Sequence, residues 1–316
     1  MARQAGLSEL LLLQRQARQQ LRSWLETRTV VLMDGAMGTE LLRRYRSLNT
    51  DSLATVTLSQ PNWVRSIHLS FLRSGAQCLL ANTFLAWPRE SGSGNRTYFR
   101  KLNRLAIQLA REAAAEVSRP VPILASIGPW PNDSPTSVQQ CRAQIYALRD
   151  ADAVHLETQS SLVFVERLLA QLPSTWPIPI LVSFTFLRRG KRYLTLSRRH
   201  TPAQIADWAE QHRSRIAVLG VNCGHGLTLS DITKIVRQYR RETGLPILVR
   251  PNAGTPKRQG KGHVYPFTPE DFAAAVPEWL EVGATWLGGC CGTTPRYIAA
   301  MCRALRKHLQ MTSPLQ

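Results

Sequence analysis

The chain of 316 residues contains six cysteines, and two of them, Cys290 and Cys291, are adjacent. An apolar run and two glycines precede this pair, and Thr294-Pro295 follows it with the pattern of a helix N-cap and a proline at the first helical position. The pattern predicts that both thiols lie where a strand ends and a helix begins. A disulfide between neighbouring cysteines closes a strained ring, whereas both thiols can bind one metal ion if a third ligand comes from elsewhere.

Cys223 is the candidate for that third ligand, because it follows the apolar run 216–221 and so ends another predicted strand. Three thiolates leave a tetrahedral Zn²⁺ with one open position, and soft sulfur ligands favour zinc over magnesium or calcium. The alternatives are that Cys223 is a small buried residue and that the adjacent pair is a tight strand end without a metal. His225 and His263 are weaker candidates for a fourth ligand.

Short apolar runs alternate with helical patterns along the chain. Each run has the length of a buried parallel strand and ends in polar or turn-forming residues. The eight runs are residues 30–33, 78–81, 121–127, 153–156, 178–182, 216–221, 246–249 and 284–287. This alternation predicts an α/β fold, a single (β/α)₈ TIM barrel. A doubly wound open sheet is the alternative, but it would more often carry a phosphate-binding glycine fingerprint, which the sequence lacks.

The first residues of the chain have leucines at helical spacing with arginines between them, which predicts an amphipathic helix. Glu9 and Glu26 argue against an organelle transit peptide, because such peptides are poor in acidic residues. We expect an N-terminal helical extension at residues 1–28, the barrel at residues 29–310 and a short tail at residues 311–316.

Two Thr-Pro pairs, Thr201-Pro202 and Thr268-Pro269, repeat the N-cap pattern and predict helix starts. Pro277 falls inside the second of these helices and predicts a break or a kink there. Residues 87–95 and 256–263 are rich in turn formers and predict long loops. The second of these loops is basic, and it is a candidate lid over the barrel mouth.

Polar residues follow several of the predicted strands, and the carboxyl ends of barrel strands meet at one mouth. Asp34 and Glu157 would lie there and hold a cationic group such as an α-ammonium. An Asp-Gly turn is the alternative for Asp34, whereas an unpaired carboxylate at Glu157 would be costly to bury. A thiol substrate in the open zinc position would be held as a thiolate, which suits alkyl transfer from an activated methyl donor.

The chain carries 40 Lys and Arg against 21 Asp and Glu, a formal charge of +19. The arginines are scattered rather than gathered into an arm with interleaved aromatics, so a basic surface is expected and nucleic-acid binding is not. No apolar run approaches the length of a membrane span. Sparse cysteines without a secretory signal favour a reducing compartment, so we expect a cytoplasmic protein with small-molecule substrates.

Six motifs occur in order through nearly the whole chain, and together they resemble the homocysteine S-methyltransferase family. They are Asp34-Gly-Ala-Met-Gly-Thr-Glu-Leu41, Ala81-Asn-Thr-Phe84, Glu157-Thr158, Gly220-Val-Asn-Cys223, Pro251-Asn-Ala-Gly254 and Gly288-Gly-Cys-Cys-Gly-Thr-Thr-Pro295. The last motif, combined with the distant Asn-Cys pair, is highly specific.

This resemblance implies a (β/α)₈ barrel with a catalytic zinc ion on three thiolates, those of Cys223, Cys290 and Cys291. It implies that the homocysteine thiolate completes the tetrahedron and receives the methyl group, giving methionine. The amino group of homocysteine would then lie near Asp34 and Glu157. The resemblance further implies that Asn222 and Asn252 contact the metal-binding cysteines and orient them, without binding the metal themselves.

The methyl donor is less well defined by this resemblance. Thr158 stands where betaine-using members carry tyrosine, and residues 184–193 are crowded with arginine and lysine rather than acidic and glycine-rich. A sulfonium donor, S-methylmethionine or S-adenosylmethionine, is therefore expected. The alternatives are betaine, a methyl group carried by a partner protein, or another small thiol or selenol as acceptor. A non-catalytic zinc barrel that binds an anionic partner is the alternative from a different class.

Overall fold

The structure, a computed structural model, describes residues 2–87, 93–117, 119–224, 226–259 and 262–312. Twelve strands occur within these residues: β1 (Val31–Leu32), β2 (Leu79–Leu80), β3 (Ile123–Ile127), β4 (Ala153–Gln159), β5 (Ile180–Phe184), β6 (Phe186–Arg189), β7 (Arg192–Thr195), β8 (Val218–Cys223), β9 (Ile247–Pro251), β10 (Lys257–Gln259), β11 (Gly262–Val264) and β12 (Ala284–Leu287). Eight of them coincide with the apolar runs of the sequence.

These eight strands form one parallel sheet in the order β1-β12-β9-β8-β5-β4-β3-β2. Its two edges meet, because Met33 and Cys78 form a parallel bridge and the amide of Gln77 donates to the carbonyl of Leu32 at 2.7 Å. The (β/α)₈ TIM barrel is thereby confirmed. The remaining strands pair as two hairpins, β6–β7 and β10–β11.

Eleven helices occur in the described residues: α1 (Ala2–Thr27), α2 (Met37–Arg44), α3 (Val56–Ser59), α4 (Pro61–Arg73), α5 (Ser93–Ala114), α6 (Pro135–Ala147), α7 (Leu162–Ala170), α8 (Pro202–Gln211), α9 (Leu229–Glu242), α10 (Pro269–Glu281) and α11 (Pro295–Thr312). The predicted N-caps are confirmed, since Thr201 and Thr268 each accept a backbone N–H three residues on. The helix does not break at Pro277: α10 continues to Glu281, because Phe272, Val276 and Trp279 hold it against the core, and the alternative of a kink there stays a prediction.

Of the two predicted loop segments, the structure describes the larger part of only one. Within the segment 256–263, strands β10 and β11 form an antiparallel hairpin, with residues 260–261 outside the described part of the chain. The segment 87–95 lies largely outside the described residues, and α5 already begins at Ser93. Lys257, Arg258 and Gln259 are all exposed, so the hairpin stands on the surface within the connection from β9 to α10.

Helix α1 closes the end of the barrel where the strands begin. Leu21 and Trp24 belong to one buried cluster with inward-facing residues of all eight barrel strands, and the Trp24 ring meets Trp286 edge-on at 6.1 Å. Arg18 donates to Asp152, just before β4, at 3.2 Å. The mouth at the other end therefore stays free for a site.

The predicted division at residues 28/29 stays a prediction. At the other end of the chain, α11 runs to Thr312, past the predicted boundary at 310, and residues 313–316 lie outside the described part. None of the described helices is both long enough and apolar enough to cross a membrane.

Candidate active site

Three cysteine sulfur atoms meet at the mouth of the barrel. Cys223 is the last residue of β8, and Cys290 and Cys291 follow β12. Their Sγ atoms all lie within 4.8 Å of one another, and each residue is half-buried with a free thiol. The convergence predicted from the two strand ends is thus present in the fold.

The backbone at this point is shaped by close contacts. The amide of Gly289 donates to the carbonyl of Asp34 at 3.1 Å, and that of Cys290 donates to the carbonyl of Pro251 at 2.8 Å. Gly292 has φ +83°, and a Cβ there would lie 2.3 Å from Cγ of Tyr265. Only glycine satisfies both conditions, so the motif's third glycine lets the backbone after the cysteines lie against the Tyr265 ring.

Cys223 itself has an unusual backbone, with φ +58°. Non-glycine residues seldom adopt this left-handed conformation, and they keep it only where the surroundings enforce it. It turns the chain out of β8 immediately after the residue that supplies the sulfur. The strained conformation is consistent with a functional position.

Two asparagine side chains donate towards the sulfur atoms. Nδ2 of Asn252 lies 3.5 Å from Sγ of Cys223, and Nδ2 of Asn222 lies 3.8 Å from Sγ of Cys290. Asn222 also exchanges two hydrogen bonds with Thr158, donating to Oγ1 and accepting from the amide N–H, both at 2.8 Å. The amide donors favour negative charge on sulfur, and the Thr158 contacts fix one of them in place.

The thiols share protons with one another. Hydrogen bonds from Cys290 and Cys291 lower the pKa of Cys223 to about 3. Hydrogen bonding to Cys223 raises the pKa of Cys290 to about 12 and raises that of Cys291 well above its usual value. Negative charge is thus favoured on Cys223, whereas Cys290 and Cys291 release their protons less readily than ordinary thiols, and a bound cation would favour that release.

The residues present fit a zinc ion. A tetrahedral centre with Zn–S bonds of about 2.3 Å needs sulfur atoms about 3.8 Å apart, within the range of the cluster. The donor set is all sulfur, which suits zinc rather than magnesium or calcium. The two asparagine donors are the kind of supporting contact that metal-bound thiolates receive.

A buried ionic triad lies beneath this cluster. Arg250 donates from Nη1 to Glu157 at 2.9 Å and from Nη2 to Asp34 at 3.3 Å. Ser126 donates to the other oxygen of Glu157, and the amide of Leu80 donates to the other oxygen of Asp34 at 2.9 Å. Asp34, Glu157 and Arg250 are 1%, 5% and 2% exposed. With both acids ionised, the triad has a net charge of −1.

Burial dominates the protonation of the triad. It raises the pKa of Asp34 to about 7, although Arg250 opposes the shift, and it raises the pKa of Glu157 in the same direction. Burial disfavours the charged form of Arg250, but Glu157 and Asp34 outweigh it and raise the pKa of this guanidinium. Arg250 therefore stays charged, while Asp34 exchanges its proton near neutral pH.

Sequence reasoning missed Arg250 and Tyr265. Arg250 lies two residues after Leu248 on β9, so both side chains point to the same face of the strand. Leu248 belongs to the barrel interior, whereas Ile247 and Val249 pack on the outside against helices. Counting by two from Leu248 would have pointed Arg250 inwards. Tyr265 follows the β10–β11 hairpin rather than a barrel strand, so the position of its ring could not be inferred from strand ends. The one signal in the sequence is Gly292, since a larger residue there would collide with the ring.

The other candidate residues lie elsewhere or beyond the described part. Asn82, at the end of a predicted strand, donates to the carbonyl of Leu53 at 2.8 Å and to Thr57 at 3.0 Å, so it braces a loop. His225 and the side chain of His263 lie outside the described residues.

The sequence and the fold match known proteins over most of the chain. A family model described as Homocysteine S-methyltransferase matches residues 31–305. The homocysteine S-methyltransferase YbgG of Bacillus subtilis (strain 168) is 30% identical, covering 89% of this chain and 97% of that protein. The homocysteine S-methyltransferase of Escherichia coli (strain K12) is 29% identical, covering 89% and 97%. A crystal structure of the homocysteine methyltransferase MmuM from Escherichia coli in its metallated form superposes with a TM-score of 0.73 at 27% identity, covering 90% of this chain and 99% of that one.

Proposed function

The chain belongs to the homocysteine S-methyltransferase family, and we propose that it transfers a methyl group from a sulfonium donor to homocysteine on a zinc centre. The meeting of three cysteine sulfur atoms within 4.8 Å at the barrel mouth carries this proposal. A zinc ion on Cys223, Cys290 and Cys291 would supply a fourth position in which the substrate thiol loses its proton and remains nucleophilic.

The protein's own residues position the acceptor. Asp34 and Glu157 accept the α-ammonium of homocysteine, whose single positive charge balances the net −1 of the triad with Arg250. Arg250 fixes the orientation of both carboxylates before substrate arrives, since it bonds to each of them. Asn222 and Asn252 donate towards the cysteine sulfurs and keep them in place.

The methyl transfer balances without a further reactant. The homocysteine sulfur attacks the donor methyl carbon, a new carbon–sulfur bond forms, and the old one breaks with its electron pair going to the donor sulfur. S-Methylmethionine leaves as methionine, and S-adenosylmethionine leaves as a neutral thioether. A cationic donor is drawn to a mouth that contains thiolates and a net negative triad.

One feature supports a sulfonium donor over betaine, and a second supports a cationic donor in general. Thr158 is a small side chain committed to Asn222, so it offers no ring to a quaternary ammonium. Trp87 and Trp130 follow β2 and β3 at the same end of the barrel, with ring centroids 5.0 Å apart. Aromatic faces attract sulfonium and quaternary ammonium cations alike, so this pair supports a cationic donor of either kind.

A methyl-donor panel tests this function. Zinc-loaded protein is incubated with homocysteine and one donor at a time, namely S-methylmethionine, S-adenosylmethionine or betaine, and methionine is quantified. Donor carbon labelled with ¹³C separates transferred methyl from methionine released by the donor itself. We expect turnover with a sulfonium donor and none in Cys223→Ser. Turnover with betaine alone would refute the donor assignment, and no turnover with any donor at full zinc loading would refute the function.

A panel of acceptors completes the test. Homocysteine, cysteine and a selenol analogue are compared at equal concentration with the preferred donor. We expect the highest kcat/KM with homocysteine, because the ammonium contacts and the zinc position fix the length of the chain between nitrogen and sulfur. The six cysteines are free in the described chain, and we propose the reducing cytoplasm as the location of the reaction.

A further inference from the structure

A cationic groove lies on the outside of the barrel, between the β6–β7 hairpin and helix α9. It is a cavity of about 310 Å³, and we call it the basic groove. Its cationic lining is Arg188 and Lys191 from the hairpin with Lys234, Arg237 and Arg241 from the helix. None of these residues belongs to the site at the mouth.

The helix contributes its cations from one face. Lys234, Arg237 and Arg241 are spaced by three and four residues, so their side chains form a stripe about 10 Å long at 1.5 Å of rise per residue. All three are exposed. Like charges at this spacing repel one another and destabilise a helix, and an anion bound between them would remove that cost.

The charges of the stripe are not neutralised within the protein. In the part of the chain that the structure describes, Lys191, Lys234, Arg237 and Arg241 form no ion pair within 4.0 Å and no side-chain hydrogen bond. Asp231 is the acid beneath the hairpin, but it is 1% exposed and already accepts Tyr193 at 2.7 Å, with Arg188 at 3.5 Å. Among its charged residues, the described lining of the groove thus presents cations and no carboxylate.

A second cavity extends the basic groove along the same helix. It has about 430 Å³, shares Arg237 and Arg241 with the first, and adds Arg240 and Glu281. Arg240 is held by the carbonyls of Thr243, Leu245 and Gly283 at 2.9 Å. Across both cavities, the described lining contains six cations and one carboxylate.

We propose that the basic groove binds an oligophosphate, a chain of two or more linked phosphate groups. Five cations around about 310 Å³ require several negative charges on few atoms, and arginine forks match phosphate oxygens. The groove offers no ring on which a base could stack, because Tyr193 is 6% exposed and its hydroxyl is committed. The ligand is therefore recognised by its phosphates rather than by bases.

Calorimetric titration of the full-length, zinc-loaded protein with inorganic tripolyphosphate tests this site. The groove variant is Lys234→Gln/Arg237→Gln/Arg241→Gln. The matched control, Arg303→Gln/Arg306→Gln/Lys307→Gln, removes the same charge from exposed positions on one face of α11. We expect the groove variant to weaken binding at least about tenfold and the control less than about twofold, since direct phosphate contacts outweigh net charge.

Further arms separate the sources of phosphate. Equal affinity for tripolyphosphate and a nucleoside triphosphate supports recognition of the phosphate chain alone, whereas clearly tighter binding of the nucleoside triphosphate would overturn recognition by phosphates alone. An equal loss of tripolyphosphate affinity in the groove variant and the control, or no tripolyphosphate binding to the unaltered protein, would overturn the site. Displacement of tripolyphosphate by a lower concentration of single-stranded RNA would overturn the ligand class. Far-UV circular dichroism of each variant confirms that it is folded, and unchanged methyl transfer separates this site from the mouth.

Discussion

Replacing Arg250 by methionine removes the positive charge from the triad while keeping a long apolar stem. Arg250 makes charge-assisted hydrogen bonds of 2.9 Å to Glu157 and 3.3 Å to Asp34, each of a kind that contributes about 1.5–3 kcal/mol. Breaking a buried pair on one side typically costs about 3–5 kcal/mol, because the remaining charge is buried without a partner. We therefore expect Arg250→Met to lower the free energy of unfolding by about 3–5 kcal/mol at pH 8.

The loss should shrink at pH 5. Burial raises the pKa of Asp34 to about 7 even with Arg250 present, and without the guanidinium both carboxyl pKa values rise further. A group whose folded pKa is raised stabilises the fold below its unfolded pKa, and that contribution disappears as the pH rises through the folded pKa. At pH 5 the carboxyls of Arg250→Met hold their protons, so less charge is left unpaired.

Equilibrium urea unfolding at the two pH values measures this difference, and fluorescence and circular dichroism must give coincident transitions for it to be a free energy. Arg306→Met on the exposed face of α11 is the control and should change stability by less than about 0.5 kcal/mol. Arg250→Met combined with Glu157→Gln should recover part of the loss. A loss below about 1 kcal/mol at pH 8, or equal losses at pH 5 and pH 8, would refute the buried-charge reasoning.

Three further perturbations follow from the site. Asp34→Asn should flatten part of the fall in unfolding free energy between pH 3.8 and about 7, because the raised pKa of Asp34 contributes to that fall; urea unfolding at intervals across the range measures it. Cys223→Ser should weaken zinc binding at least about tenfold, whereas Cys78→Ser inside the barrel should leave it unchanged. Atomic absorption after dialysis against a range of free zinc concentrations measures this, and zinc retained by Cys223→Ser would contradict the ligand set. Gly292→Ala should destabilise the protein more than Gly190→Ala, since both glycines have positive φ but only Gly292 faces Tyr265. Thermal unfolding measures this, and equal decreases in the stability of the two variants would contradict the contact.

The thiol cluster was predictable because it depends on one rule of parallel barrels. Strand ends converge at one mouth, so Cys223 and Cys290 could be brought together from residues 67 positions apart in the sequence. The Thr-Pro helix starts were predictable for a local reason, since the cap and its partner lie within four residues. Both predictions need only the residues of short segments and the order of those segments along the chain.

The triad and the basic groove depend on features that no short segment contains. The orientation of Arg250 depends on the register of β9 against its neighbours, and an arginine before proline at a strand end resembles a solvent-exposed residue. The groove requires the hairpin after β5 to pack against α9, where Tyr193 meets Asp231 across 38 residues. The uninterrupted α10 shows the same dependence, because tertiary packing outweighs the missing hydrogen bond at Pro277.

The helix at the closed end of the barrel also constrains the order of assembly. Helix α1 precedes every strand in the chain, yet the surface it covers includes Trp286 of β12, 262 residues after Trp24. During synthesis the helix can form early, but it has no complete partner until the last strand has joined the ring. Docking of α1 is therefore a late event in folding, and until it occurs the apolar interior stays open to water and to chaperones.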